Sequence, residues 1–441
     1  MKKYIFIVSL LCLLAACTGK RQGEAAAEVA ALPAVEDVVM YQVNPRVFAP
    51  EKSFKAVERR LDSIQALGIN VVWFMPINEV GQEKSVNSPY CVKDYKGVNP
   101  EFGTLDEFKA LVATCHQKGM NVIIDWVANH TSWDNAWIAN KEWYTQDEAG
   151  NIIFPAGTGW KDVADLNFDN QEMRLAMIDA MKFWVTEIGI DGFRCDAADF
   201  VPFDFWKQAL DSLRAIPDRS LLMLAEGKRR DHFNAGFDMN YSWDFLESLR
   251  DVFVKDVPAQ ELFATDKAEY DTIPVGKVKL RFTTNHDESA KMSPIKEFGD
   301  VRGSMAAFVL TTYLHGGALI YGSQEAGYPE AINFFTYVPV DWTGNSELYQ
   351  EYCRLMALYN EYPAIRKGGL TTYPQPDVLL FEKQDGKDRV LVAVNVRNRE
   401  VNVTLPQEWN GHSSKDMYSG TEEKLEAELS LCPYQYRIFQ Y

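Results

Sequence analysis

Between Val38 and about Asn360 the chain alternates short, almost continuously apolar runs with helical patterns. The runs are VVMYQV, NVVWFMP, NVIIDWV, GIDGFRCD, LLMLAE, AGFDMN, KLRFTTN and GGALIYG. Amphipathic segments from Ser53 to Leu67, from about Leu105 to Lys118 and from Glu172 to Ile188 fall between them. A strand without polar alternation is buried on both faces, and helices between such strands provide the cover. Eight of these units predict a closed (β/α)8 TIM barrel, with an open doubly wound sheet as the alternative. In a barrel the chemistry gathers at the carboxyl ends of the strands.

Two departures from the repeat divide the chain. About forty residues, Thr131 to Asn170, separate the third strand from the next helix, where about 4–6 is usual. They carry Trp133, Trp137, Trp143 and Trp160 and read as a small excursion domain over 131–170, between barrel parts 36–130 and 171–362. The four tryptophans suit either sugar stacking or packing of a small core. From 363 to 441, DVLLFEKQ, DRVLVAVNVRN, EVNVTLP and PYQYRIFQY alternate in the manner of antiparallel strands, which predicts a C-terminal β-sandwich domain.

The amino terminus predicts export. Lys2 and Lys3 precede an apolar run from Tyr4 to Ala16, too short for a stable membrane span. Its end, LLAAC, resembles the lipobox of bacterial lipoproteins, which implies a signal peptide over 1–17 and lipid on Cys17. The polar stretch over 18–35 then reads as a flexible tether. The expectation is an exported, membrane-anchored lipoprotein, periplasmic or on the cell surface. Cys91, Cys115, Cys195, Cys353 and Cys432 are odd in number and scattered, which does not suit a disulfide framework. A net charge of −17 argues against a nucleic-acid partner. There is no phosphate loop or zinc-type Cys/His spacing, and no organic cofactor is expected.

Read in order, the strand ends concentrate charge. The third ends in Asp125 and runs on to Asn129 and His130. The fourth, GFRCDAADF, ends in Arg194 and Asp196, which share a face because side chains two apart point the same way. The fifth ends in Glu226, and the seventh runs into Asn285, His286 and Asp287. An Arg–Asp pair by itself is as consistent with a structural ion pair as with a reactive site. Four acidic strand ends on one rim are costly, because clustered carboxylates repel one another.

DWVANH, GFRCDAADF, LMLAEG and TTNHDE resemble, in order and spacing, the four conserved regions of the α-amylase family of glycoside hydrolases (glycoside hydrolase family 13). GINVVWFMPI, SPYCVKDYKGVNPEFGT, DVADLNFDN and GGALIYGSQEAG extend the likeness over nearly the whole chain from Val38. The resemblance implies Asp196 as nucleophile, Glu226 as general acid and then base, and Asp287 as a stabiliser of the transition state. It implies that Arg194 orients Asp196 and keeps it ionised, that Tyr90 stacks beneath the sugar, and that His130 and His286 bond it, with Asp125 in support. The implied reaction is retaining hydrolysis of α-1,4 bonds in starch or maltooligosaccharides. Transglycosylation, or action on pullulan, sucrose or trehalose, stays open. A non-catalytic glycan-binding role is disfavoured by the three retained carboxylates. Many members carry Lys-His three and four residues after the nucleophile; here Asp199 and Phe200 stand there, so the leaving-group side must bind differently. Calcium is implied on Asn129, Asp165 and the backbone carbonyl of Phe200.

Overall fold

The computed structural model describes residues 31–441; the expected signal peptide, Cys17 and most of the expected tether lie outside them. Eight parallel strands close into a barrel. They are β1 (Val39–Val43), β2 (Val71–Phe74), β3 (Asn121–Trp126), β4 (Gly192–Cys195), β5 (Leu222–Ala225), β6 (Met239–Tyr241), β7 (Val278–Arg281) and β8 (Gly317–Tyr321). Each pairs with its neighbours in sequence, and β8 returns to β1. The closed sheet is therefore the architecture reached, rather than the open one.

Two apolar layers account for the unbroken hydrophobicity of the strands. Met40, Val71, Trp73, Ile123, Leu222, Leu224, Met239 and Leu280 fill the barrel interior. Alternate residues, including Tyr41, Val72, Phe74, Ile124, Phe193 and Met223, pack outward against the helices. Toward the carboxyl ends the inward positions turn polar: Asp125 lies beside Arg194 in register, and Arg194 beside Leu224. The period-two alternation thus places Phe193 and Cys195 in the outer layer and Arg194 inside, fully buried.

Several boundaries differ from expectation. The helix expected over Ser53–Leu67 is two helices, Ser53–Glu58 and Leu61–Ala66. The sixth strand starts only at Met239, because Asp231–Ala235 is a short helix that Gly236 ends at φ +116°. The tether was expected to extend to residue 35, yet Leu32 and Val35 pack against the interior core. Both are apolar side chains that gain by leaving water for the cluster to which Val38 and Val278 belong.

The excursion is a two-stranded ribbon, His130–Ser132 with Val163–Asp165, and a long loop between. It returns to the barrel at the helix Gln171–Phe183, capped by Asn170. Beyond the helix Ser346–Glu361 come β9 (Gly369–Tyr373), β10 (Val378–Asp385), β11 (Asp388–Asn395), β12 (Val401–Thr404), β13 (Ser413–Asp416), β14 (Glu422–Lys424), β15 (Glu428–Leu431) and β16 (Tyr436–Gln440). Six form one sheet in the order β9-β10-β11-β16-β13-β14, and β12 pairs with β15. Leu380, Leu391, Ala393 and Phe439 pack with Trp409 and Leu431 into a core of their own. Leu379, Phe381, Val392 and Ile438 on the opposite face join the barrel's outer core, which docks the sheet on the barrel. The five cysteines of the described residues are all free, and no helix among those residues is long and apolar enough to cross a membrane.

Candidate active site

A cleft of about 340 Å³ opens at the carboxyl ends of the strands. Tyr90, His130, Asp196, Glu226, His286 and Asp287 line it, so residues from five separate loops converge. Beneath it lies Arg194, whose guanidinium is the hub of the site. Its Nη1 donates to Asp125 Oδ1 at 2.7 Å and to Asp196 Oδ1 at 2.8 Å. Its Nη2 is ion-paired with Glu226 Oε1 at 3.0 Å, and its Nε donates to the Tyr241 hydroxyl at 3.0 Å. One buried cation therefore holds three carboxylates, a geometry that the rigid planar fork of arginine suits and lysine does not.

The electrostatics differ from expectation in one respect. Arg194 does pull the Asp196 carboxyl down, as a neighbouring cation must. Burial and the adjacent Glu226 charge outweigh it, so the Asp196 carboxyl lies well above the usual carboxylate range. Burial likewise pushes Asp125 up to about 7 against the pull of Arg194. One positive charge here faces three negative ones, so burial and mutual repulsion hold the Asp196 and Asp125 carboxyls above their ordinary range. Burial also raises the Asp287 carboxyl at the cleft wall.

The backbone positions the acidic groups. Glu226 Oε2 accepts the Ala197 N–H at 2.6 Å, while the Glu226 carbonyl accepts the Ala198 N–H at 3.0 Å. Ala197, directly after Asp196, has φ +43°, an unusual conformation for a residue with a Cβ and one found where a site over-determines the backbone. Asn285 caps the short helix His286–Ser289, accepting from the Asp287 and Glu288 N–H groups and aiming Asp287 at the cleft.

The histidines are neutral donors or acceptors. Burial lowers His130 to about 4, and burial together with Arg194 lowers His286 well below the ordinary value. With the Gln42 amide donating to His286 Nδ1 at 2.7 Å, Nε2 carries the proton toward the Tyr90 hydroxyl at 2.5 Å. Tyr90 in turn donates to Asp125 Oδ2 at 3.2 Å. Its ring stacks on His286, with centroids 5.4 Å apart, and forms the cleft floor.

Every cleft residue inferred from the motifs is thus brought together, and Asp125 and Arg194 lie just below. Several contributors escaped the motifs. Gln42, Trp73 and Tyr241 are inward-facing strand residues that orient His286, Asp125 and Arg194. Phe334 and Phe335 close one cleft wall from the loop after β8, where only their adjacency in an otherwise irregular segment marked them. The tryptophans divide between two tasks. Trp137 packs against both Tyr95 and Trp143, Trp133 donates to the Lys161 carbonyl, and Trp160 faces the cleft beside His130.

The residues implied for calcium offer oxygen donors. Asn129 and Asp165 adjoin across the ribbon, where the Leu166 N–H donates to the Asn129 carbonyl at 3.2 Å. Burial raises the half-buried Asp165 carboxyl, and no cationic side chain offsets this. One carboxylate, one amide oxygen and one carbonyl suit a hard cation. Among the described residues no group of three or more His, Cys, Asp or Glu side chains could hold a metal ion.

Known proteins share this architecture. The alpha amylase catalytic domain matches residues 52–151 and 141–346, and the maltogenic amylase C-terminal domain matches residues 370–438. A cyclomaltodextrinase of Geobacillus thermopakistaniensis is 25% identical over 92% of this chain and 77% of its own. The structure of a noncanonic maltogenic alpha-amylase of Thermotoga neapolitana superposes with a TM-score of 0.84 at 26% identity, covering 93% of this chain and 99% of that one. An alpha-amylase of Lactobacillus plantarum gives 0.83 at 25% identity, covering 92% and 99%. Since the catalytic-domain match takes in most of the chain and carries with it Asp196, Glu226 and Asp287 around the Arg194 hub, the chain belongs to the alpha-amylase family of glycoside hydrolases.

Proposed function

We propose that the protein hydrolyses α-1,4-glucosidic bonds in starch or maltooligosaccharides with retention of configuration. The observation that carries this reading is the pair Asp196 and Glu226, held by one guanidinium and both open to the cleft. Asp196 attacks the anomeric carbon while Glu226 protonates the departing glycosidic oxygen, giving a glycosyl ester on Asp196. Glu226 then takes a proton from water, the water oxygen attacks the same carbon, and Asp196 leaves as carboxylate. Negative charge on Asp196 is relieved as the ester forms, which suits a carboxyl that burial and Glu226 already destabilise as an anion. Neutral His130 and His286 bond sugar hydroxyls, Asp287 stabilises positive charge on the ring, and Tyr90 supports the apolar sugar face.

A second reading, transfer to an acceptor sugar, is favoured by Trp160 and Phe200. Their rings stand 5.5 Å apart at the cleft mouth, and Phe200 is 54% exposed. Products from starch, maltooligosaccharides, pullulan and sucrose discriminate the two. Hydrolysis yields only shorter glucans, and transfer yields some longer than the substrate. In either case the first product seen by NMR is expected to be the α-anomer; initial β-product rejects double displacement.

Two further features belong to the proposal. Calcium would be held by Asn129, Asp165 and the Phe200 carbonyl, stiffening the junction of excursion and barrel. Exhaustive chelation is then expected to lower the melting temperature and calcium to restore it, because a ligand of the folded state alone stabilises by mass action. An unchanged melting curve removes the site. Cys17 would carry lipid and tether the enzyme to a membrane, in the periplasm or at the cell surface. Mass spectrometry of the mature amino terminus is expected to show acylated Cys17, and Cys17→Ser is expected to move the protein into the soluble fraction. An unmodified, wholly soluble wild type refutes the anchor.

A further inference from the structure

Three residues past Asp196 the loop carries Asp199, and its side chain does not face the substrate side of the cleft. It turns toward the loop that follows β5. Asp199 Oδ2 accepts the Lys228 N–H at 3.2 Å, and Oδ1 accepts the Arg229 N–H at 3.3 Å. These are the second and third residues after Glu226. The carboxylate lies so close to the intervening Gly227 that a Cβ there would stand 2.4 Å from Oδ1, and Gly227 has φ +150°. Only glycine permits this approach.

The link is reciprocal. Arg229 Nη1 donates to the carbonyls of Asp199 and Val201, at 3.1 and 3.2 Å. Its Nε and Nη2 are held by Asp231, at 3.0 and 2.7 Å. Buried His232 brings Nε2 to 3.3 Å from Asp199 Oδ1 on the far side. On the near side of Glu226, the Ala197 and Ala198 N–H groups bond its carboxylate and carbonyl. Glu226 is thus tied to the Asp196 loop at its own position and again two and three residues later in the chain.

We propose that Asp199 is a positioning residue for Glu226, fixing the acid's loop on the loop of the nucleophile so that proton delivery and attack occur in one geometry. This rests on the assignment of Glu226 as the general acid. The physical argument is that a proton donor must lie within hydrogen-bond reach of the leaving oxygen, and a displacement of about 1 Å costs on the order of a hundredfold. Four bonds between two loops, two made by the Asp199 carboxylate and two received by its own loop, oppose such a displacement. The consequence is specific to steps that need a proton. Departure of a sugar alcohol needs one; departure of fluoride needs almost none.

The test compares Asp199→Ala, Asp199→Asn and Glu226→Gln on maltotetraose and on α-maltosyl fluoride. Asp199→Ala is expected to lower kcat/KM on maltotetraose by roughly tenfold to a hundredfold and to leave kcat/KM on the fluoride within about twofold, because kcat/KM reports formation of the glycosyl ester, the step in which Glu226 donates its proton, and not the later hydrolysis that both substrates share. Asn retains one acceptor oxygen, so Asp199→Asn is expected to recover much of the loss, and it serves should the alanine variant fold poorly. Equal losses on both substrates, or an unaffected maltotetraose rate, overturn the proposal. Glu226→Gln separates the two claims. If it shows the large maltotetraose-specific loss and Asp199→Ala does not, the positioning role is wrong. If Glu226→Gln itself loses kcat/KM equally on both substrates, the acid assignment fails instead.

Discussion

Asp196→Asn is expected to lower kcat on maltooligosaccharides by on the order of 10⁴–10⁶-fold, since loss of the nucleophile removes the covalent route altogether. The same variant is expected to melt at or above the wild-type temperature. Asp196 is buried with Asp125 and Glu226 around a single guanidinium, and burial and Glu226 raise its carboxyl despite that cation. A neutral amide of the same shape relieves this repulsion and still accepts from Arg194. Glu226→Gln follows the same logic with a smaller loss of about 10²–10⁴-fold, the usual range for a general acid or base. Purified-enzyme kinetics beside scanning calorimetry give both readouts. A kinetically dead but destabilised Asp196→Asn protein would show that the carboxylate is structural, and substantial turnover in a stable one would remove it from the chemistry.

The second large effect concerns the hub. Arg194→Met is expected to destabilise the protein by about 3–5 kcal/mol, because it leaves buried carboxylates without their cation. Activity should fall with it, since Asp196, Glu226, Asp125 and the Tyr241 hydroxyl all take their bearings from this one side chain. Arg194→Lys is expected to recover little, because an ammonium cannot reproduce the fork. The sign with pH distinguishes this from a simple packing defect. Carboxyls raised in the folded state contribute stability that is present below their unfolded values and lost as pH rises through the folded ones. Asp125, already pushed to about 7 and higher without Arg194, makes the deficit small near pH 4 and largest above neutrality. Melting curves of variant and wild type across that interval measure it. A deficit independent of pH would mean that lost packing, and not uncompensated charge, is what the mutation costs.

Much of the architecture was legible because it rests on short-range regularities. Eight apolar runs with helical spacers imply a closed parallel sheet, and period two along GFRCD separates Phe193 and Cys195 from Arg194 and Asp196. Where local signals competed, the reading slipped. The run containing Phe237 looked like a whole strand, but a left-handed Gly236 had just ended a helix and delayed the sheet to Met239. The end of the tether looked solvated from its composition, yet an apolar cluster formed elsewhere in the chain recruited Leu32 and Val35. The C-terminal strands alternate, but both faces of their sheet are covered, by β12 and β15 on one side and the barrel helices on the other.

The chain's own order of residues determined the barrel, the excursion, the β-domain and the acidic strand ends, because each follows from side-chain period, turn chemistry or motif within a few tens of residues. Only the tertiary structure decided how those groups share charge. That Arg194 serves three carboxylates rather than one, that burial and Glu226 outweigh it at Asp196, and that Asp199 faces Lys228 and Arg229 instead of substrate are consequences of closure. Electrostatic energies depend on distance and on exclusion of water, and both are set by the assembled barrel rather than by any one strand.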